Sequence, residues 1–202
     1  MLGDLWSFQG RYRTLHLTWI AFFLTFVVWF NLAPLATTVK ADLGLTVGQI
    51  RTVAICNVAL TIPARVLIGM LLDKFGPRIT YSSILVFSAI PCLLFASAQD
   101  FNQLVVARLL LSIVGAGFVI GIRMVAEWFP PKEIGLAEGI YGGWGNFGSA
   151  FSALTMVALA GFLSFSGGFE LPTGAVLNWR GAIALSGIVS AVYGLFYFFN
   201  VT

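Results

Sequence analysis

The sequence predicts an all-α membrane protein of six transmembrane helices, and three observations carry that fold class. The chain has 202 residues, 59% of them hydrophobic and only 9% charged, with a mean hydropathy of +0.95. A soluble domain carries about 25% charged residues. Four runs, 17–39, 79–99, 139–169 and 181–202, hold no charge at all, and each reaches the ~20 residues that cross a hydrocarbon core ~30 Å thick. Two further apolar stretches, 49–72 and 104–129, hold arginines inside them: Arg65 in the first, Arg108 and Arg123 in the second. Barrel strands are a poor alternative, because the runs far exceed ~10 residues and do not alternate apolar with polar.

Taken in order, the helices are expected at about residues 15–37, 49–73, 79–98, 103–129, 137–164 and 179–200, forming one bundle across 1–202. The first apolar run is too long for the 7–15-residue core of a signal peptide. The second helix carries Arg65 with no other charge between Thr52 and Leu72. Cys56 and Cys92 fall inside the second and third helices, as small core residues rather than a disulfide framework. The fifth helix is glycine-rich, and a longer connector, 164–179, leads into the sixth, its stretch 166–174 reading as an exposed extracytoplasmic loop. Tryptophans 6, 19, 29, 128 and 179 lie near helix ends, as an interfacial belt requires, whereas Trp144 does not. Arg11, Arg13, Lys74, Arg78 and Lys132 fall on one side of the bundle, against Lys40 and Arg180 on the other. The positive-inside rule then places both termini in the cytoplasm of a plasma-membrane protein.

The same composition excludes several function classes. A net charge of +3 is too small and scattered for nucleic acid. One histidine, His16, and two separate cysteines assemble neither a metal cluster nor a catalytic triad, so no enzyme, metal or cofactor is expected. All eight carboxylates, from Asp4 to Glu170, lie in tails, connectors or helix ends. A proton relay usually needs one within the membrane, which tilts the reading toward exchange or a relay housed elsewhere.

Arg65 carries most of the functional information. A guanidinium cannot be deprotonated, and placing one inside a bilayer costs roughly 2.5–3.5 kcal/mol on insertion scales, so such residues usually face a cavity and mark a substrate path. Spacing of i, i+4, i+8 puts Arg65, Gly69 and Asp73 on one helix face. Eight residues at 1.5 Å place Arg65 about 12 Å inward of Asp73, near the midplane. The competing interpretation is an arginine satisfied by carbonyls or another helix, with Pro63 loosening the nearby ladder. Arg123 and Glu127 stand i, i+4 and suit an ion pair, while Glu133 and Glu138 could meet Lys132 or the charges near Asp73.

Three motifs give these residues a family context. RVLIGMLLDKFGPR, residues 65–78, resembles the loop motif between helices 2 and 3 of the major facilitator superfamily. That resemblance implies that Asp73, Lys74, Gly76 and Arg78 belong to a cytoplasmic gate whose charges pair in one conformation and part in another. ARLLLSIVGAG, 107–117, is similar to the helix 4 motif of that superfamily and implies a structural or coupling role for Arg108. GWGNFG, 143–148, and the preceding GAGFVIGIRMVAEWFPP, 115–131, resemble the nitrate signature and helix 4 of the nitrate/nitrite porter family. Ser149 and Ala150 depart from the glycines that often continue the signature.

By this resemblance Arg65 matches the arginine that binds the anion, Asn146 and Gly145 sit in the signature lining the path, and Phe118 falls where a ring meets the planar anion. The signature glycines could admit the anion to the backbone or simply tighten helix packing. The resemblance implies the N-terminal half of a twelve-helix fold, with a second arginine in the other half. The chain is therefore expected to serve nitrate or nitrite transport by alternating access, with a C-terminal six-helix half or second subunit as partner in the lipid bilayer. A carrier of another small anion, or a non-transporting half-size subunit, are the alternatives.

Overall fold

The computed structural model describes residues 7–201; Asp4 and Trp6 lie outside the described residues. Helix α1 (Gly10–Phe30) passes through a 3-10 turn (Ala33–Leu35) into α2 (Ala36–Asp42). Helix α3 (Val47–Ala59) is followed by α4 (Thr61–Phe87) and α5 (Ala89–Ser97). Helix α6 (Phe101–Ser112) continues through a 3-10 turn (Ile113–Ala116) into α7 (Gly117–Trp128), and α8 (Pro131–Phe162) ends in another such turn. Strands β1 (Phe169–Glu170) and β2 (Val176–Leu177) precede α9 (Trp179–Asn200).

Five continuous helical stretches are long and apolar enough to cross a membrane: Gly10–Asp42, Val47–Ser97, Phe101–Trp128, Pro131–Ser166 and Trp179–Asn200. The second has 51 residues, which at 1.5 Å per residue would extend about 75 Å, more than twice a hydrocarbon core. Gly76 divides it. Its φ of 76° and ψ of 169° are open only to glycine at little cost, and Pro77 behind it suits the first turn of a new helix. The two arms of α4 come back to one neighbour: Thr61 bonds the carbonyl of Ser112 at 3.2 Å, and the Tyr81 ring packs on Gly117. The chain thus turns at Gly76, and six crossings result.

Local chemistry explains the other boundaries. Thr46 and Gln49 form a reciprocal capping box that starts α3, Asp100 caps α6, and Asn178 caps α9. Pro131 occupies the first turn of α8, so that helix begins six residues before the expected start near 137. In the first crossing, Pro34 lies in the 3-10 turn and has no N–H to return to the preceding turn, which breaks the helix between α1 and α2.

The connectors gather at two ends. At one end Arg11 pairs with Glu133 at 2.8 Å, Arg13 donates to Asn200 at 3.1 Å, and Arg78 donates to the Phe198 carbonyl at 2.6 Å. Glu133 therefore meets Arg11 of the N-terminal helix rather than Lys132 or the Asp73 cluster. At the other end Asp42 accepts from the Trp179 indole at 2.9 Å, while Arg180 donates to the carbonyls of Ala96 and Ala98 at 2.8 and 2.6 Å. The long 164–179 connector is not a plain loop: β1 and β2 pair antiparallel, with Phe169 opposite Leu177.

Two tryptophans assigned to the interfacial belt belong to the core instead. Trp29 is 8% exposed and Trp179 is 1% exposed. Each has a hydrogen-bond acceptor inside the protein, Asn57 and Asp42 respectively, which removes the need for the wet interface. Both cysteines are buried and unpaired.

Candidate functional site

Helix α4 begins at Thr61, so Pro63 lies in its first turn and deprives no internal carbonyl of a partner. Arg65 follows one turn into the helix. It is exposed, and among the described residues it has no hydrogen bond or ion pair. The backbone beneath it is firmly held. Asn57 donates to the Trp29 carbonyl at 2.9 Å, and the Trp29 indole donates to the Asn57 carbonyl at 2.7 Å. Leu60 N–H donates to the Ser112 hydroxyl at 3.2 Å. The guanidinium is thus free on a fixed mount, tied to α1 on one side and α6 on the other.

Arg65, Gly69 and Asp73 share a face, and none of the three is buried. Asp73 accepts from Arg123 at 2.7 Å, and Arg123 also pairs with Glu127. The i, i+4 pair on α7 is therefore extended by a carboxylate from the α4 turn. Lys74 is exposed, with its ammonium 5.2 Å from the Phe75 ring. Arg78 turns away from this cluster, its guanidinium 4.6 Å from the Phe198 ring on α9.

The fully enclosed arginine is Arg108, at 2% exposure. It donates to Asn31 Oδ1 at 3.0 Å and to the Trp29 carbonyl at 3.4 Å, and lies 5.2 Å from the Phe95 ring. Among the described residues no carboxylate pairs with it. What compensates the charge is the broken end of α1, where the interruption leaves carbonyls free at the negative pole of a half-helix. Asn31 is held in turn by its own amide, which donates to Ser186 at 3.1 Å.

On the α8 side, Asn146 is exposed and its amide donates to the Gly142 carbonyl of its own helix at 2.7 Å. Gly145 is buried and faces α1: the space a Cβ would fill there is occupied by the Phe22 ring. Gly148 likewise admits the backbone of Phe23, whereas Gly139, Gly142 and Gly143 face open space. The glycines of the signature thus divide between packing and an open surface. Phe118 is half-buried, against Phe22 at 5.4 Å and Tyr141 at 6.3 Å between ring centroids. No hydrogen bond or ion pair joins Arg65, Asn146 or Phe118 to one another among the described residues.

Sequence reasoning missed Asn31, Asn57, Tyr81 and Tyr141. The asparagines carried a usable signal, an amide in an otherwise apolar crossing that must find partners. The tyrosines carried none, because a buried tyrosine reads as one more aromatic.

A family model described as Major Facilitator Superfamily matches residues 18–202. The chain is 62% identical to the nitrate/nitrite transporter NrtP of a Picosynechococcus strain, covering 100% of this chain and 40% of that protein. It is 61% identical to a protein of the same name from Nostoc punctiforme, covering 98% of this chain and 38% of the relative. The chain thus spans about two fifths of the length of these relatives. Its fold is similar to that of a bacterial homologue of the human lysosomal transporter Spinster, crystallised inward-facing and occupied. There the TM-score is 0.75 at 18% identity, covering 96% of this chain and 45% of that one.

Proposed function

Because the chain belongs to the major facilitator superfamily, we propose that it forms the N-terminal half of a nitrate/nitrite carrier working by alternating access. It is a multi-pass membrane protein of a transporter family, and the Lys/Arg distribution supports cytoplasmic termini in a plasma membrane. The observation that carries the reading is Arg65: an unpaired guanidinium deep in an apolar crossing, on a backbone locked to two other helices. Its planar fork matches two oxygens of a flat oxyanion, a fit that an ammonium cannot copy. The high identity to relatives named as nitrate/nitrite transporters supports this choice of anion.

In the mechanism, Arg65 takes the charge of the anion, the Phe118 ring meets its plane, and Asn146 offers an amide from α8 when it leaves its bond to Gly142. Gly145 serves this site indirectly, by letting α8 approach α1 around Phe22. A C-terminal six-helix half closes the open side, and transport follows from rocking of the two bundles about the anion. Asp73, Lys74, Gly76 and Arg78 form the cytoplasmic turn of the gate, and the Asp73–Arg123–Glu127 cluster is its charged latch. Arg108, on α6, holds the end of α1 and α5 against that helix so that this half moves as one body.

The test is uptake into vesicles carrying this chain together with its C-terminal half, comparing nitrate, nitrite and chloride. Arg65→Ala is expected to abolish nitrate uptake, and Arg65→Lys to leave a small fraction. Unchanged uptake in Arg65→Ala removes Arg65 from the site. A chloride rate matching nitrate in the unaltered protein turns the reading toward a general small-anion carrier. One other reading is a half-size subunit that does not transport. That reading predicts association with a C-terminal half without flux.

A further inference from the structure

We propose that Tyr141 is a positioning residue for the Phe118 ring, with Tyr81 behind it; this rests on the reading of Phe118 as part of the anion site. Phe118 is the second residue of α7, directly after the 3-10 turn Ile113–Ala116. The 3-10 turn changes the helical pitch just before this side chain, so the face on which α7 presents it is not fixed by continuation of α6. Contacts from α8 and α1 set it instead. The Tyr141 hydroxyl donates to the Phe118 carbonyl at 3.0 Å. The Tyr141 ring lies nearly parallel to the Phe118 ring, 17° between planes and 6.3 Å between centroids. Phe22 stacks on Tyr141 at 4.9 Å and reaches Phe118 at 5.4 Å.

Tyr141 has little freedom of its own. Gly121, three residues beyond Phe118, lacks a Cβ, and the phenol end of Tyr141 fills that space. A hydroxyl carries one proton, which Tyr141 gives to the carbonyl, so Tyr81 is the donor in the 3.3 Å contact between the two hydroxyls. Both tyrosines are 0% exposed, and water cannot replace either bond. A directed chain therefore runs from Tyr81 on α4, through Tyr141 on α8, to the backbone of Phe118 on α7. It backs one face of the Phe118 ring and leaves the rest of this half-buried side chain to meet a planar anion.

The experiment uses the same vesicles, with uptake normalised to the amount of folded carrier. Tyr141→Phe keeps the ring and removes the hydroxyl. The half-saturation concentration for nitrate is expected to rise about 3–10-fold, the scale of one hydrogen bond, and the preference for nitrate over chloride to fall, with the maximal rate nearly kept. Tyr81→Phe should shift both in the same direction by less. In a Phe118→Ala background, Tyr141→Phe should add nothing, because its effect passes through that ring. An equal drop in maximal rate for every anion, or a Tyr141→Phe effect that persists without the Phe118 ring, would overturn the positioning role. Should Tyr141→Phe fail to fold, an unchanged nitrate preference in Tyr81→Phe overturns it as well. If Phe118→Ala itself leaves nitrate uptake intact, the prior reading of Phe118 fails instead.

Discussion

Two arginines placed in apolar crossings have opposite fates, and the difference lies in what surrounds each one. Arg65 stands exposed and unpaired, whereas Arg108 at 2% exposure is bound by Asn31 and the Trp29 carbonyl. Burying an unpaired guanidinium costs more than burying none, so removing one partner is worse than removing both. Asn31→Leu is therefore expected to destabilise the chain by about 1.5–3 kcal/mol, the scale of a hydrogen bond to a charged group, and the double variant Asn31→Leu/Arg108→Met by less. Thermal unfolding in detergent measures the order; a double variant less stable than Asn31→Leu would show that the charge is not held by Asn31. The sequence made Arg65 conspicuous by its isolation and Arg108 by its motif. Which of them is enclosed depends on a broken helix end contributed by residues 77 positions away, and spacing along a chain carries no record of that.

At the scale of elements, the crossings were legible because long uncharged runs have only one way to satisfy their backbone in lipid. Their interruptions were less so. Pro34 and Pro63 are visible as prolines, yet the first marks a break with a 3-10 turn and the second a helix start. Gly76 was legible as part of a turn, and its φ of 76° explains why glycine stands there. Gly76→Ala should cost about 1–3 kcal/mol through backbone strain alone. The glycine-rich helix separates by environment. Gly145→Ala drives a methyl into the Phe22 ring and should destabilise by about 1–3 kcal/mol through overpacking. Gly139→Ala meets open space and should be neutral or raise stability by up to about 1 kcal/mol. Melting temperatures of the solubilised chain check all three; equal effects at 139 and 145 would contradict the packing assignment.

For the whole molecule, the exposed side chains include Ile62 at 78%, Leu154 at 74% and Phe199 at 76%, an apolar surface that needs lipid or another bundle. The exposed face carrying Arg65 fits the proposed six-helix half on one side of it. Co-expression with a C-terminal half is expected to raise the membrane content of this chain several-fold and to allow its capture through a tag on that half. A chain that accumulates equally by itself and is not captured would argue for self-sufficiency.

Composition and periodicity by themselves determined the membrane class and the order of the crossings, because hydropathy and span length are properties of contiguous residues. The motifs at 65–78 and 107–117 also pointed to the superfamily, and the run around Asn146 to the nitrate/nitrite porter family within it. Tertiary structure alone decided which arginine is enclosed, which glycines serve packing, that Trp29 and Trp179 leave the interface for the core, and that Tyr141 stands behind Phe118. Each of these depends on groups from separate helices meeting at a few ångströms, and only the packed bundle brings them together.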